Sequence, residues 1–163
     1  MRRVLMVCLG NICRSPTAEA VLRAKLRQRG LERSVEVDSA GISDWHEGAP
    51  PDQRSQAHAE RRGYDLSQQR SRPVARADYE RFDLLLAMDD DNLDQLRASC
   101  PPPYAPKLRR LMEFARRSRR RVVPDPYGGG ADRFEEVLDL IEDACDGLVE
   151  HLAESLRRPG GTS

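Results

Sequence analysis

The sequence lacks most of the features that would assign it to a specialised class of protein. Lysine occurs only at positions 25 and 107, and aromatic residues make up 5% of the 163 residues. A membrane-spanning helix needs about 20 apolar residues, whereas the first apolar run, residues 4–9, stops at Gly10. The formal net charge is zero, which argues against general binding of polyanions. We therefore expect a cytoplasmic protein with no nucleic-acid or membrane partner.

Cysteine and histidine are also scarce. The chain contains Cys8, Cys13, Cys100 and Cys145, together with His46, His58 and His151. The cysteines match no zinc-binding spacing, and a domain of this size does not depend on disulfides, so reduced thiols are expected. We interpret the three histidines as surface or packing residues. No metal and no cofactor is predicted.

The order of apolar and polar segments predicts strands that alternate with helices. Strands are predicted at residues 4–8, 34–38, 82–88 and 121–123, and helices at 16–28, 52–62, 89–98 and from 132 onward. Ser15 is predicted to cap the first helix, and Asp132 with Glu135 to form a capping box on the last. The alternation predicts a single-domain α/β fold, with a doubly wound, four-stranded parallel sheet flanked by helices. The domain is expected at 1–158, followed by a disordered tail at 159–163.

The segment between the first strand and the first helix carries most of the chemistry. It reads Cys8, Leu9, Gly10, Asn11, Ile12, Cys13, Arg14 and Ser15. Ligands bind outside the carboxyl ends of strands in such sheets, and a loop that leads into a helix N-terminus attracts anions. The same field favours a nucleophilic thiolate at Cys8, and Arg14 offers a planar fork for two phosphoryl oxygens. The segment therefore predicts a phosphate-binding loop that attacks phosphate esters.

A buried structural cysteine beside a solvated arginine is the alternative interpretation of Cys8 and Arg14. The preceding strand, the Gly10-Asn11 pair and the following helix start favour the phosphate loop. Gly10 permits a tight backbone turn, and Asn11 tolerates left-handed geometry.

These motifs make the chain similar to the low-molecular-weight protein tyrosine phosphatase family. Residues 8–16 match its phosphate loop without a gap, and further matches lie at 38–41, 45–46, 87–89, 92–93 and 125–127. The resemblance covers about residues 3 to 157. It implies a phosphotyrosine phosphatase I-like fold and a metal-free protein-tyrosine phosphatase. Its partners would be phosphotyrosine proteins, a tyrosine kinase among the examples, with inorganic phosphate as product.

The resemblance also implies roles for individual residues. Cys8 would attack phosphorus to form a phosphocysteine, while Arg14 and the loop amides hold the transferring group. Asp125 would act first as general acid and then as general base. Asp125-Pro126-Tyr127 also suits an ordinary turn, but the phosphate loop upstream favours the catalytic interpretation.

Further residues are expected to support the loop or to contact substrate. The resemblance implies that Ser15 and Ser39 hydrogen-bond Asn11, although each also suits an ordinary cap or turn. Many family members have a histidine in this network, near residues 66–70. Glutamine stands here, and the sequence leaves open whether Gln68 or Gln69 replaces it.

The second cysteine of the loop, Cys13, is expected to be the redox partner of Cys8 through a reversible disulfide, as the resemblance implies. A small buried loop residue is the alternative. Trp45 and Tyr127 are expected to be the walls that grip an aromatic ring, although a tryptophan is also a common core residue.

Three other functions remain open at this point. An arsenate reductase would need a closely spaced downstream cysteine pair, which Cys100 and Cys145 do not form. In phosphoarginine phosphatases a threonine occupies the position of Ile12, so the apolar side chain favours tyrosine. A non-catalytic phosphoprotein-binding module could dispense with Cys8 or Asp125. The arginine run at 116–121 has no interleaved aromatics and is interpreted as a solvated helix end rather than a nucleic-acid site.

Overall fold

A computed structural model describes residues 1–158. The predicted tail at 159–163 lies outside the described residues. The strands are β1 (Arg2–Cys8), β2 (Val35–Gly41), β3 (Leu84–Ala87) and β4 (Leu108–Arg110). The α-helices are α1 (Arg14–Gln28), α2 (Gln53–Arg61), α3 (Arg76–Arg81), α4 (Asp90–Ser99) and α5 (Ala131–Arg157), and short 3₁₀ helices lie at Pro102–Lys107 and Leu111–Phe114. Among residues 1–158, no helix is long and apolar enough to cross a membrane.

The four strands form one parallel sheet in the order β2-β1-β3-β4. The central strand β1 is buried on both faces. Val4, Met6 and Cys8 pack in the cluster that includes α1 and α5, whereas Leu5 and Val7 pack in the cluster that includes α3 and α4. The prediction of a doubly wound, four-stranded parallel sheet with flanking helices is confirmed.

The carboxyl ends of β1 and β2 meet at one edge of the sheet, where Cys8 is in register with Gly41. Glycine is required at the end of β2 because the loop that follows β1 lies against it. A Cβ on Gly41 would lie 3.0 Å from the carbonyl oxygen of Leu9 and 3.1 Å from Cβ of Asn11. The chain that follows β2 continues this contact. The N–H groups of Ile42 and Ser43 donate to the carbonyls of Cys8 and Leu9, respectively.

The predicted fourth strand at residues 121–123 is wrong, since β4 is Leu108–Arg110. Val123 is buried and donates its N–H to the carbonyl of Met88 at 2.7 Å, but this is a single bond beyond the end of β3. Pro124 follows and has no N–H to continue a ladder. The real β4 has one apolar residue, Leu108, in a three-residue strand, too short to show a period.

The arginine run is likewise not a helix end. Residues 115–124 are irregular, and two of the arginines pair with acids of α5. Arg117 lies 3.0 Å from Asp146 and Arg120 lies 3.2 Å from Glu136. The run is therefore partly neutralised within the molecule by these ion pairs.

Both predicted helix caps differ from the structure. α1 starts at Arg14 with Cys13 at the N-cap, so the Ser15 hydroxyl lies inside the first turn and bonds elsewhere. α5 starts at Ala131 with Gly130 at the N-cap and no side-chain cap, so Asp132 and Glu135 form no capping box. By contrast, Asp52 caps α2 as a side-chain acceptor.

The irregular segment after β4 lies against α5 at close range. The carboxylate of Asp143, which is buried, accepts the backbone N–H groups of residues 116, 117 and 118 at 2.7–3.2 Å. Gly147 lies one helical turn further on, and a Cβ there would come within 1.8 Å of the carbonyl oxygen of Phe114. α5 thereby holds the start of the segment that leads to Val123 and Asp125.

Candidate active site

The loop between β1 and α1 presents its amides and hides its carbonyls. The carbonyl of Gly10 accepts the hydroxyl of Ser71 at 3.0 Å, and that of Ile12 accepts the N–H of Asp52 at 2.8 Å. In the described chain, the N–H groups of residues 10–13 donate to no protein acceptor. Free amides at the start of α1 form an anion-binding loop.

Asn11 holds this loop in a conformation that few residues adopt. Its φ is +57°, the left-handed region, and it is the only non-glycine residue with a positive φ in residues 1–158. Its buried side chain donates to Ser15 Oγ at 2.8 Å and to Ser39 Oγ at 3.0 Å, and accepts the N–H of Arg72 at 3.0 Å. The three bonds use the whole amide and offset the cost of the strained backbone.

Gln69 occupies the position that the sequence left open. Its Oε1 accepts the hydroxyl of Ser39 at 3.3 Å, and its Nε2 donates to the carbonyl of Pro16 at 2.9 Å. Gln68 is exposed and bonds its neighbour Ser67. The glutamine within reach of the Asn11 network is therefore Gln69.

A buried carboxyl, missed by the sequence analysis, lies beneath this network. Glu19 on α1 is 4% exposed and pairs with Arg23 at 2.9 Å. Burial raises the pKa of Glu19, and the charge of Arg23 opposes that rise only in part. No spacing signal singles out Glu19, because it lies among the buried residues of α1.

The thiol of Cys8 lies at the floor of the loop, 2% exposed, with Sγ 3.0 Å from Ser15 Oγ. Ser15 Oγ already accepts a hydrogen from Asn11. Its own hydroxyl hydrogen is therefore available to the sulfur, an arrangement that stabilises a thiolate. Of the sequence-predicted supports, Ser15 contacts Cys8 directly, and Asn11 links Ser15 to Ser39.

Arg14 is almost fully buried, with 3% of its side chain exposed. Nη1 donates to Asp89 Oδ2 at 2.6 Å and to the carbonyl of Val123 at 3.1 Å. Burial lowers the pKa of Arg14, but the neighbouring Cys8 sulfur and Asp89 outweigh burial and raise it overall. The sequence analysis did not identify Asp89 as a partner of Arg14.

Asp125 lies near the guanidinium of Arg14 and lines the same cleft as Cys8. Its Oδ2 is 3.9 Å from Nη2 of Arg14, and its Oδ1 accepts the N–H of Tyr127 at 3.0 Å. Both residues line a cleft of about 190 Å³ with the phosphate loop. The cleft is lined by Cys8, Leu9, Gly10, Ile12, Cys13, Arg14, Trp45, His46, Asp125 and Tyr127.

The aromatic rim of the cleft is open to solvent. Trp45 is 75% exposed and Tyr127 is 65% exposed, so neither is a core residue. Exposed apolar side chains around a cleft are typical of a binding surface. The interpretation of His46 as a surface or packing residue is incomplete, because its ring lines the cleft beside Gly10.

The remaining cysteines differ sharply in environment. Cys13 is 5% exposed, and burial raises the pKa of its thiol to about 12, with the nearby acid Asp52 adding to the rise. Cys145 is fully buried in the core and Cys100 lies at the end of α4. All four thiols are free. Cys100 and Cys145 do not form the exposed pair that an arsenate reductase needs.

Comparison with known proteins agrees with this geometry. Residues 3–158 match the family described as low molecular weight phosphotyrosine protein phosphatase. The chain belongs to this family. It is 43% identical to a putative low molecular weight protein-tyrosine-phosphatase of Synechocystis, over 94% of this chain and 98% of that protein.

Solved structures of the phosphatase family share the fold. A protein tyrosine phosphatase of Entamoeba histolytica, solved with Hepes in its active site, is 40% identical. The alignment covers 96% of this chain and 99% of that one, with a TM-score of 0.93. A Drosophila protein described as an arginine phosphatase is 33% identical over 93% of this chain and 98% of its own, with a TM-score of 0.85. The expectation of a protein-tyrosine phosphatase, a hydrolase, is confirmed.

Proposed function

We propose that this phosphatase hydrolyses phosphotyrosine through a phosphocysteine on Cys8, with Arg14 as the phosphate clamp and Asp125 as general acid and base. The carrying observation is that the Cys8 thiol, the buried Arg14 guanidinium and the Asp125 carboxyl line a single cleft beside four free backbone amides. Charge that develops on the phosphoryl oxygens meets donors that are already in place. No metal and no cofactor takes part in the proposal.

In the first step, Cys8 Sγ attacks phosphorus and the bond to the aryl oxygen breaks. The proton of the Asp125 carboxyl passes to that oxygen, so tyrosine leaves neutral. The Ser15 hydroxyl stabilises the thiolate before attack, and Arg14 with the loop amides binds the three equatorial oxygens. Asp89 and Val123, which bind Nη1 of Arg14, fix the plane of the guanidinium.

In the second step, water attacks phosphorus and the P–S bond breaks. Asp125, now ionised, accepts the proton of the water, and inorganic phosphate leaves with Cys8 as thiolate. The enzyme returns to its starting state without a net redox change.

The proposed substrate class follows from the rim. Trp45 and Tyr127 stand as exposed aromatic walls above the thiol, a depth that suits a phosphorylated ring. The apolar side chain of Ile12 adds to the wall. Phosphotyrosine proteins are therefore the proposed partners, a tyrosine kinase among the candidates. Phosphoarginine is the competing substrate, because a Drosophila relative is described as an arginine phosphatase.

Turnover tests the proposal directly. Wild-type protein should hydrolyse an aryl phosphate and prefer phosphotyrosine peptides to phosphoarginine ones. Cys8→Ser should abolish turnover, and Asp125→Ala should lower it by about 10²-fold or more. A rapid quench in alkali, in which the P–S bond is stable, should trap a phosphate bound to Cys8. Absence of turnover by pure wild-type protein would refute the proposal and favour a binding module.

We further propose that Cys13 is the redox partner of Cys8. Both thiols are free and line the same cleft. Peroxide would oxidise the Cys8 thiolate to a sulfenic acid and release hydroxide. The Cys13 thiol would then attack that sulfur, and the disulfide would form as water leaves. We also propose a cytoplasmic location, since a domain of this size does not depend on disulfides.

A further inference from the structure

The segment that carries Asp125, residues 124–130, is held mainly by local bonds. Gly129 N–H donates to the carbonyl of Pro126, and Tyr127 N–H donates to Asp125 itself. Gly128 has a φ of +84°. Among residues 1–158, one side chain from another element donates to a carbonyl of this segment. That donor is Arg54 of α2, whose Nη1 lies 3.1 Å from the carbonyl oxygen of Gly129.

The guanidinium of Arg54 stacks on an aromatic ring. Its Cζ lies 4.8 Å from the ring centroid of Phe134, in the first turn of α5. Phe134 is 3% exposed and stacks on His58 with centroids 5.3 Å apart and planes at 7°. An arginine held over an aromatic face loses rotational freedom, so the donor to Gly129 is held in place even though the side chain is partly exposed.

The start of α2 also holds the phosphate loop. Asp52, the N-cap of α2, donates its N–H to the carbonyl of Ile12 at 2.8 Å. Its carboxylate accepts the N–H of Arg54 at 2.8 Å and lies 3.7 Å from the Arg54 guanidinium. One helix turn therefore contacts the phosphate loop on one side and the segment with Asp125 on the other.

We infer that Arg54 is a positioning residue that sets the distance between Asp125 and the leaving group held by the phosphate loop. It does not line the cleft and touches no reacting atom. This inference rests on the proposed role of Asp125 as general acid. A general acid works only within hydrogen-bond reach of the leaving oxygen, and a displacement of about 1 Å costs up to about 100-fold in rate. Loss of the Gly129 bond frees the segment to move.

The test is the dependence of kcat/KM on the leaving group. Phenyl phosphate has a poor leaving group that needs the acid, whereas p-nitrophenyl phosphate has a good one that does not. Arg54→Ala should lower kcat/KM about tenfold for phenyl phosphate and less than about twofold for p-nitrophenyl phosphate. Arg54→Lys keeps a donor but not the planar stack on Phe134. Its kcat/KM for phenyl phosphate should therefore fall between those of the wild type and Arg54→Ala. Arg61→Ala, at the exposed far end of α2, is the matched control and should leave both substrates unchanged.

The Asp125→Asn background separates the two ideas. There Arg54→Ala should cause no further loss, because the group that it positions is already gone. An equal loss for both substrates, or a loss that adds to that of Asp125→Asn, would show a structural effect only and overturn the inference. A leaving-group effect in Asp125→Asn but none in Arg54→Ala overturns the inference and leaves the proposed function intact. No leaving-group effect in Asp125→Asn overturns the role of Asp125 and the inference with it.

Discussion

The hydroxyl of Ser39 at the end of β2 donates to Oε1 of Gln69 across 3.3 Å. The other end of the same amide donates to the carbonyl of Pro16 at 2.9 Å. Gln69 therefore joins β2 to the first turn of α1 on either side of Asn11. Because glutamine does not titrate, this support is independent of pH, unlike a histidine in the same place.

Gln69→Leu should weaken the phosphate loop. The substitution removes the acceptor of the Ser39 hydroxyl and the donor to the Pro16 carbonyl, and it places an apolar side chain beside Ser39. The free energy of unfolding should therefore fall by about 1–2 kcal/mol. kcat/KM for an aryl phosphate should fall about tenfold, because Ser39, which binds the Asn11 side chain, is no longer held by Gln69. Denaturant unfolding and steady-state kinetics measure the two effects. Gln68→Leu, at the exposed neighbour, should change neither, and an equal effect of both variants would contradict the role of Gln69.

Peroxide should distinguish the two loop thiols. Burial raises the pKa of Cys13 to about 12, so at neutral pH alkylating reagents should modify Cys8 and spare Cys13 until the solution is strongly alkaline. Peroxide inactivation of wild type should be reversed by dithiothreitol, whereas that of Cys13→Ala should become irreversible as Cys8 passes to sulfinic acid. Mass spectrometry of the oxidised protein checks both. Equal recovery of the two proteins would contradict the redox role.

Asp143→Asn should destabilise the segment that leads to the site. Burial raises the pKa of this carboxyl, but the backbone N–H groups of residues 118, 116 and 117 outweigh burial and lower it overall. A lowered pKa in the folded state means that the stabilisation is complete above the unfolded value of 3.8 and is lost as pH falls through the folded value. Asp143→Asn should therefore cost about 2 kcal/mol at pH 7 and much less near pH 2.

The matched control for Asp143 is Asp139→Asn on the same helix. Asp139 has 70% of its side chain exposed and, among residues 1–158, pairs with Arg62 alone, so its loss should cost about 0.5 kcal/mol or less. Urea unfolding of both variants at a series of pH values supplies the measurement. A cost for Asp143→Asn that persists unchanged in acid would contradict the assignment of the stabilisation to its charge.

Gly10→Ala should show that His46 covers the phosphate loop. A Cβ at position 10 would lie 3.0 Å from Cδ2 of His46, so the imidazole or the loop must shift by a few tenths of an ångström. We expect kcat/KM to fall about fivefold, since small displacements in a phosphate site are costly. In Gly10→Ala/His46→Ala the obstacle is gone, and kcat/KM should recover toward that of His46→Ala. Additive losses in the double variant would place the clash elsewhere.

The dependence of rate on pH should be bell-shaped. The first step needs a protonated carboxyl at Asp125 and an ionised thiol at Cys8, so kcat/KM should have a mildly acidic optimum. Asp125→Asn should remove the fall on the alkaline side and leave the acid side in place. A wild-type rate that continues to rise from pH 5 to pH 8 would contradict the assignment.

Local sequence signals predicted the parts of the molecule that are governed by local forces. Residues 4–8 form a continuous apolar run, which predicts a strand buried on both faces. The loop that follows has its asparagine at the position with a positive φ. β4 escaped detection because three residues with one apolar side chain show no period, and its place depends on β3. Residues 121–123 looked like a strand, yet Pro124 prevents a ladder.

The candidate site divides in the same way. Cys8 and Arg14 follow from the chemistry of the loop motif, whereas the role of Asp125 follows from the family resemblance. The partners of Arg14 do not: a carboxylate at the start of α4 and a carbonyl before Pro124 meet only through tertiary packing. The sequence narrows the residue that replaces the family histidine to Gln68 or Gln69, but it cannot decide between them. Adjacent side chains point in different directions, and only the fold determines which one reaches the network.

The burial of Arg14 has a consequence for the order in which the protein is made. The thiol and the guanidinium lie near the start of the chain, whereas Asp89, Val123 and Asp125 are synthesised later. A nascent chain that has emerged only through α1 contains Cys8 and Arg14. Asp89 and Val123, which hold the Arg14 guanidinium, are not yet present. We therefore expect the emerging polypeptide to be inactive, with its loop thiols open to oxidants, until the later segments fold over them.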